Sequence, residues 1–215
     1  MLEVNKIYLG DCLETMKQIP DKSIDLVLTD PPYGIGEDKT KRPSRGKTPT
    51  KAHVSCDWDD KIPRRIYFDE MIRVSKNQII FGGNYFIKYL LPNSGWIFWD
   101  KKTKSNLSDG ELAYTTFKRG LKKYEFMWEG FWQENMKNKD KRVHPTQKPA
   151  ELFRRILNDY SEEGQTILDP FAGSGTTAIA CHDLKRNFIC IEKEPEYHAI
   201  ATKRYNEAKA QMTLF

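Results

Sequence analysis

Cysteine is scarce in this chain and never closely spaced. Cys12, Cys56, Cys181 and Cys190 stand far apart with no C-x-x-C pair. That spacing leaves no disulfide framework or zinc-ligand set and fits free thiols in a reducing compartment. No apolar run approaches the roughly 20 residues a membrane span needs. The N-terminus lacks the apolar stretch of a secretory signal, so a cytosolic location is expected. Internal repeats are absent, as is any compositional break that would mark a linker. The 215 residues are therefore expected to form one domain, 1–215, with a sizeable core. The mean hydropathy is −0.70, but aromatics make up 12%, which argues for a polar surface over an ordered core. Charge is not balanced. The net of +5 and pI of 8.9 favour an anionic partner and point weakly to nucleic acid.

The most informative stretch is Asp30-Pro31-Pro32-Tyr33, directly after the apolar run Ile24-Asp25-Leu26-Val27-Leu28-Thr29. A buried strand thus ends in a stiff, polar and aromatic loop. Two prolines fix φ at about −65° and carry no N–H, so the carbonyls in the loop must find donors elsewhere. A carboxylate, free carbonyls and a ring suit a planar heterocycle held by its amino group and covered on one face. The same residues also make an ordinary strand-terminating turn.

A second apolar strand, Ile167-Leu168-Asp169, runs through Pro170-Phe171-Ala172-Gly173-Ser174-Gly175 into a helix opening at Thr176-Thr177. Glycines at such a turn allow positive φ and let a ligand approach the backbone. The third glycine of the dinucleotide fingerprint is missing, and so is the Gly-Lys-Ser/Thr of a phosphate-gripping loop. The next strand, Phe188-Ile189-Cys190-Ile191, ends at Glu192, about 20 positions past the glycines, where such folds bind ribose hydroxyls. A nucleoside-containing cofactor without a pyrophosphate satisfies both features, and S-adenosylmethionine fits that description.

Together, Asp30-Pro31-Pro32-Tyr33 and Asp169-Pro170-Phe171-Ala172-Gly173-Ser174-Gly175 resemble the amino-group DNA methyltransferases, which methylate adenine N6 or cytosine N4. The catalytic loop precedes the cofactor loop here, which resembles the circularly permuted beta group. His144-Pro145-Thr146-Gln147-Lys148-Pro149 and Gly10-Asp11-Cys12-Leu13-Glu14 match that group too, so the resemblance spans Tyr8 to about Tyr205. It implies a Rossmann-like methyltransferase fold with a seven-stranded, mostly parallel sheet containing one antiparallel strand.

The pattern along the chain agrees with an α/β order. Lys6–Leu9, Ile24–Thr29, Gln78–Phe81, Gly95–Trp99, Ile167–Asp169 and Phe188–Ile191 read as strands, and Tyr124–Trp128 as an antiparallel edge partner. Helices are expected at Cys12–Gln18, Ile62–Ser75, Asn84–Leu91, Ala150–Tyr160, from Thr176, and Glu196–Ala210. The helix beginning at Ile62 would bury Ile62, Ile66, Met71 and Ile72. Strands alternating with helices argue for a parallel sheet covered on both faces.

The chemistry accounts for these residue types. The lone pair of an exocyclic amine is delocalised into the ring, so the amine is a poor nucleophile. Asp30 and the Pro31 carbonyl can accept its two hydrogens, with Pro32 stiffening the loop and Tyr33 stacking on a base flipped from the duplex. Catalysis is then positioning and electrostatics without a covalent intermediate. No Pro-Cys lies near this loop, so a cysteine nucleophile for C5 methylation is not expected. For the cofactor, Gly173, Ser174 and Gly175 would form the close turn and Glu192 would take the ribose. By resemblance, Asp11 and Cys12 would bound the adenine, Asp169 and Phe171 would line the methionine end, and Lys148 would reach the methionine carboxylate. Asp11 also reads as a helix cap, Phe171 as core, and Lys148 as a solvated loop residue; His144 reads as positional, since no metal-ligand spacing accompanies it.

Two basic segments, at about 35–57 and 101–142, are expected to contact double-stranded DNA. Lys39, Lys41, Arg42, Arg45, Lys47 and Lys51 crowd the first, and the second carries Lys101, Lys102, Lys104, Lys118, Arg119, Lys122, Lys123, Lys137, Lys139, Lys141 and Arg142, with Phe131 and Trp132 interleaved. Both also fit solvated charge runs. They are short for a separate recognition domain, which suggests a short site or loose specificity. Asp at the head of the tetrapeptide leans toward adenine N6, since by resemblance the N4-cytosine enzymes carry Ser there. N4-cytosine methylation, methylation of RNA or a protein amide, and a catalytically silent nucleic-acid-binding module remain alternatives. A homodimer and a cognate restriction nuclease are further candidate partners.

Overall fold

The computed structural model describes residues 2–36, 59, 61–103, 108–129, 132–136, 140, 143 and 146–212. The elements run β1 (Lys6–Leu9), α1 (Cys12–Met16), β2 (Ile24–Thr29), α2 (Arg65–Val74), β3 (Ser75–Phe81), β4 (Trp96–Asp100), β5 (Gly110–Thr115) and β6 (Lys122–Glu125). They continue with β7 (Trp128–Glu129), β8 (Trp132–Gln133), α3 (Ala150–Tyr160), β9 (Thr166–Asp169), α4 (Thr176–Asp183), β10 (Asn187–Glu192) and α5 (Pro195–Met212).

Among the described residues, eight strands form one sheet in the order β1-β10-β9-β2-β3-β5-β4-β6. Only β5 runs antiparallel to its neighbours, with Ile80 opposite Tyr114 and Ile97 opposite Ala113. The sheet therefore has one strand more than the expected seven, and the antiparallel member is not the one anticipated. Tyr124 lies in β6, which pairs parallel to β4 (Trp99 opposite Tyr124), while Trp128 belongs to a separate short ladder, β7 with β8.

Side chains of β2 feed two cores. Leu26 and Leu28 pack with α3, α4 and α5 through Leu152, Ile156, Ala178 and Ala201. Ile24 and Val27 pack with α1 and α2 through Met16, Phe68 and Met71. Coverage on both faces is why the central parallel strands read as nearly unbroken apolar runs. In α3 the buried set Leu152, Phe153, Ile156, Leu157 and Tyr160 follows helical spacing, and Phe153 stacks on Phe81 with ring centroids 5.5 Å apart.

Two helices depart from expectation. Pro63 lies outside α2, which begins at Arg65 after an extended Arg64 and passes at Val74 straight into β3. Its buried face is Phe68, Met71 and Val74, whereas Ile66 and Ile72 are exposed. The expected helix at Asn84–Leu91 is instead a pair of 3-10 turns, Gly83–Tyr85 and Ile87–Tyr89.

The topology places the site. The chain leaves β9 for β10 on one side and β2 for β3 on the other, while β2 and β9 pair directly, Val27 opposite Leu168. A crevice opens beyond the carboxyl ends of strands at such a reversal, and ligands bind there.

The corrected face of α2 is open to test. Phe68 is 1% exposed and packs on Phe86 and Tyr89 with centroids 5.1 and 5.2 Å away. Phe68→Ala is expected to cost about 3–5 kcal/mol in urea unfolding, and Ile66→Ala no more than about 0.5 kcal/mol.

Candidate active site

A cavity of about 550 Å³ lies at the crevice. Asp30 and Pro32 line it from the loop after β2, and Asp169, Phe171, Gly173 and Ser174 line it from the turn after β9. Glu192, Asp11, Cys12 and Lys148 complete that wall. Segments far apart in sequence thus share one pocket. Pro31, Tyr33 and Gly175 are not among its lining residues.

At the glycine turn, Gly173 (φ 52°) and Gly175 (φ 78°) occupy the left-handed region, which costs glycine little. A Cβ on Gly175 would sit 3.0 Å from Ala201 Cβ, so its bare backbone serves the close packing of α5. Arg204 of α5 donates to Ser174 O and Ser174 Oγ and pins the turn from behind. Asp169 Oδ1 accepts from Thr29 Oγ1 (2.7 Å) and the Phe171 amide (3.1 Å), and its Oδ2 accepts from Thr177 Oγ1 (2.5 Å). Burial nonetheless pushes the Asp169 carboxyl up to about 6. Glu192 accepts the Gly173 amide on Oε2 (2.7 Å) and the Glu194 amide on Oε1 (2.8 Å), and burial pushes it up to about 7. Each Glu192 oxygen keeps a lone pair for a further donor.

Asp11 caps α1, accepting the Leu13 amide at 2.8 Å on Oδ1, while its Oδ2 faces the Tyr67 hydroxyl at 3.4 Å. Cap and pocket wall are therefore compatible in one side chain. Phe171 is half-buried and sits 6.1 Å from the Tyr67 ring, so it belongs to the pocket wall and not to the deep core. Cys12 is buried and its thiol is pushed up, first by that burial.

The other end of the cavity is a dense polar cluster. Tyr33 donates its hydroxyl to Asp30 Oδ1 at 2.5 Å. Its ring stacks on Tyr85 at 4.9 Å and 14°. Gly82 (φ +66°) makes this possible, because a Cβ there would lie 2.2 Å from Tyr33 Cε1. Lys148 is only 6% exposed, which rules out a solvated loop residue. Its ammonium sits 2.5 Å from Asp30 Oδ2 and 3.0 Å from Glu111 Oε2. Burial opposes that charge, but the two carboxylates outweigh it and hold the ammonium above its ordinary range. Burial likewise pushes the Asp30 carboxyl up against the pull of Lys148.

The N6/N4 DNA methylase family model matches residues 60–203. The chain belongs to the DNA methylase family. Two similar relatives are the type II methyltransferases M2.MboI of Moraxella bovis, 28% identical over 94% of this chain and 87% of that protein, and M.HinfI of Haemophilus influenzae, 29% identical over 96% and 69%. Among solved structures, the M1.HpyAVI–SAM complex is 24% identical over 93% of this chain and 98% of that one, with a TM-score of 0.57. The PvuII cytosine-N4-specific DNA methyltransferase is 17% identical over 93% and 86%, with a TM-score of 0.62. At these identities the two structures establish the fold.

The DNA methylase carries site residues that its sequence pattern did not reveal. Glu111 comes from β5, whose stretch Gly-Glu-Leu-Ala-Tyr-Thr holds only the short apolar run Leu112-Ala113-Tyr114 and no period-2 alternation to mark it as a strand. Tyr85 and Tyr67 belong to no motif. Asp59 anchors the far side of the loop after β2, accepting the Gly34 amide on Oδ1 at 2.8 Å and the Gly36 amide on its carbonyl at 3.2 Å. The second basic segment carries its own ion pairs. Its described cations are largely matched by acids: Lys101 with Glu111, Lys102 with Glu125, Lys122 with Asp159, and Lys123 with Asp100 and Glu125. Arg119 lies over the Phe117 and Tyr160 rings. Trp132 is 60% exposed and so is not core. Lys39, Lys41, Arg42, Arg45, Lys47, Lys51, Cys56, Lys104, Phe131, Lys137, Lys139, Lys141, Arg142 and His144 lie outside the described residues.

Glu192 gives the folded protein a pH signature. Its carboxyl ionises near 7 when folded, against an ordinary 4.5, so between these values the unfolded chain binds fewer protons. Folding stability carried by this group is complete below 4.5 and is lost as pH rises to 7, by at most about 3 kcal/mol. Urea titrations at pH 4.5, 6 and 7.5 are expected to show a smaller decline over this range in Glu192→Gln than in the parent.

Proposed function

We propose that this DNA methylase transfers a methyl group from S-adenosylmethionine to the N6 amine of adenine in double-stranded DNA. The observation that carries the proposal is the sharing of one cavity by Asp30, at the head of Asp30-Pro31-Pro32-Tyr33, and the turn Asp169–Ser174 with Glu192. Bound S-adenosylmethionine would supply an electrophilic sulfonium methyl. The residues present fit it: Glu192 has acceptor capacity left for ribose hydroxyls, Gly173 and Ser174 form the close turn, and Asp11 and Cys12 flank the adenine end. Phe171 offers a ring and Asp169 a carboxyl toward the sulfonium end, an arrangement favourable to a cation. The complex of M1.HpyAVI with SAM supports the same cofactor.

On the substrate side, Asp30 and the Pro31 carbonyl accept the two amine hydrogens and localise electron density on nitrogen for in-line attack. Pro32 stiffens the loop. Tyr33, backed by Tyr85, presents its ring to a base extruded from the duplex. Asp30 favours adenine, and the fold shared with the cytosine-N4-specific PvuII enzyme makes N4-cytosine the second reading.

Methyl transfer from labelled S-adenosylmethionine to unmethylated duplex, followed by mass spectrometry of the nucleosides, separates the readings. N6-methyladenine is expected from the parent chain, with Asp30→Ala slower by about 100-fold or more. N4-methylcytosine would keep the mechanism and overturn the base assignment. Methylation of neither base in any DNA would refute the proposal.

The segment after the catalytic loop begins and ends at the site, since Gly34 and Gly36 on one side bond Asp59 on the other. We assign its Lys39, Lys41, Arg42, Arg45, Lys47 and Lys51 to phosphate binding. Replacing Lys39, Lys41 and Arg42 with Ala is expected to weaken duplex binding and to flatten the slope of log K against log salt by about 0.9 for each phosphate no longer neutralised. Anisotropy titrations across salt check this, and an unchanged slope would count against the assignment.

A further inference from the structure

One buried ammonium faces two carboxylates at the base end of the cavity. Lys148 Nζ lies 2.5 Å from Asp30 Oδ2 and 3.0 Å from Glu111 Oε2. Glu111 is shared with Lys101 at 2.6 Å, and its Oε2 lies 3.4 Å from the Tyr33 hydroxyl. The Lys148 carbonyl accepts from Thr176 Oγ1 at 3.2 Å, so its backbone is fixed to the first residue of α4, just past the glycine turn. The cluster is drawn from the loop after β2, the end of β4, β5 and the segment before α3. Charges this buried persist only when paired and hydrogen-bonded, and here two ammoniums match two carboxylates.

We propose that Lys148 and Glu111 are positioning residues for Asp30: the ammonium keeps the Asp30 carboxylate ionised and aimed at the target amine, and Glu111 sets how much of that positive charge Asp30 receives. This inference rests on the methyl-transfer reading above. It moves Lys148 from the cofactor carboxylate, the expectation from sequence, to the base end of the site.

The effect is electrostatic. An amine hydrogen needs an acceptor, and a protonated Asp30 would turn an O–H toward it, donor against donor. Burial drives Asp30 toward that neutral form. The groups facing it are Tyr33 on its own loop, Glu111 on β5, Asp169 on β9 and Lys148. Among these only Lys148 is positive, and Glu111 and Asp169 are like charges. Without Lys148, nothing cationic in direct contact would oppose protonation. Without Glu111, a competing negative charge disappears and Lys148 commits to Asp30 alone. The two substitutions therefore act in opposite directions, which general damage to the fold would not produce.

Single-turnover methyl-transfer rates are measured against pH for the parent chain, Lys148→Met, Lys148→Arg and Glu111→Gln. Each is paired with a thermal melt and with calorimetric binding of S-adenosylmethionine. Lys148→Met is expected to move the acid limb up by about 1–3 pH units, with the rate recovering at higher pH and cofactor affinity little changed. Lys148→Arg is expected to return the limb toward the parent position, and Glu111→Gln to move it down. An unmoved limb in Lys148→Met overturns the inference, as does loss of cofactor affinity without a limb shift. If Lys148→Met does not fold, Glu111→Gln decides: a limb unmoved or shifted upward overturns the inference. A parent chain that methylates DNA with neither limb displaced fails this inference alone. A parent chain with no transferase activity removes the reading on which it stands.

Discussion

Thr29 and Asp169 lie 140 positions apart in sequence, yet the Thr29 hydroxyl donates to Asp169 Oδ1 at 2.7 Å. Both side chains are buried, at 0% and 3% exposure. Thr29 is the last residue of β2 and directly precedes the Asp30 loop, and Asp169 ends β9 and opens the glycine turn. The bond therefore locks the loop assigned to the base against the turn assigned to the cofactor. Inside the protein such a bond is hard to exchange for water, since a buried partner left unsatisfied costs about 1–3 kcal/mol. The parallel pairing of β2 with β9 brings the strand ends together, and this bond fixes their relative depth. In-line transfer between two ligands depends on that relative placement, where an error of about 1 Å can cost about 100-fold in rate.

The central part of this arrangement was legible in the sequence because it consists of parallel strands buried on both faces. Ile24–Thr29, Ile167–Asp169 and Phe188–Ile191 are apolar runs broken by acids where the sheet ends, so the strands and their loops could be read together. Farther out, β3 and β4 were legible as Gln78–Phe81 and Gly95–Trp99, but β5 between them was not. β5 has Glu111 and Thr115 within it and flanks a basic stretch, so its composition resembled a solvated segment. In α2 the apolar residues Ile66 and Ile72 suggested one face, while Phe68, Met71 and Val74 define the buried one. Tertiary packing, not periodicity, decided between two overlapping stripes.

The site residues divide along the same line. Asp30, Asp169, Gly173 and Glu192, each at a strand end or a motif glycine, were expected near one another and do line one cavity, because local backbone sets their position. Lys148 was recognised as part of a motif, but its direction was not, since its partner Asp30 is 118 positions away and Glu111 lay in an unrecognised strand. Gly175 shows the converse. Its conformation was foreseen, and the need for it turned out to be contact with Ala201 on α5. A glycine motif specifies a backbone shape without specifying what occupies the space left by the missing Cβ.

Two neighbouring strand ends that each carry an aspartate present a like-charge problem, and the Asp30 charge does contribute to raising Asp169. The protein treats the two acids differently. Asp169 is held by two hydroxyls and an amide, groups fixed in strand and helix, so its oxygens are immobile acceptors with little spare capacity. Asp30 is held by the ends of two long side chains, the Lys148 ammonium and the Tyr33 phenol. The first arrangement suits a wall, and the second suits the acceptor role proposed for Asp30. Lys148 is joined to both ends: its ammonium sits against Asp30 Oδ2, while its carbonyl is tied to the helix that follows the glycine turn.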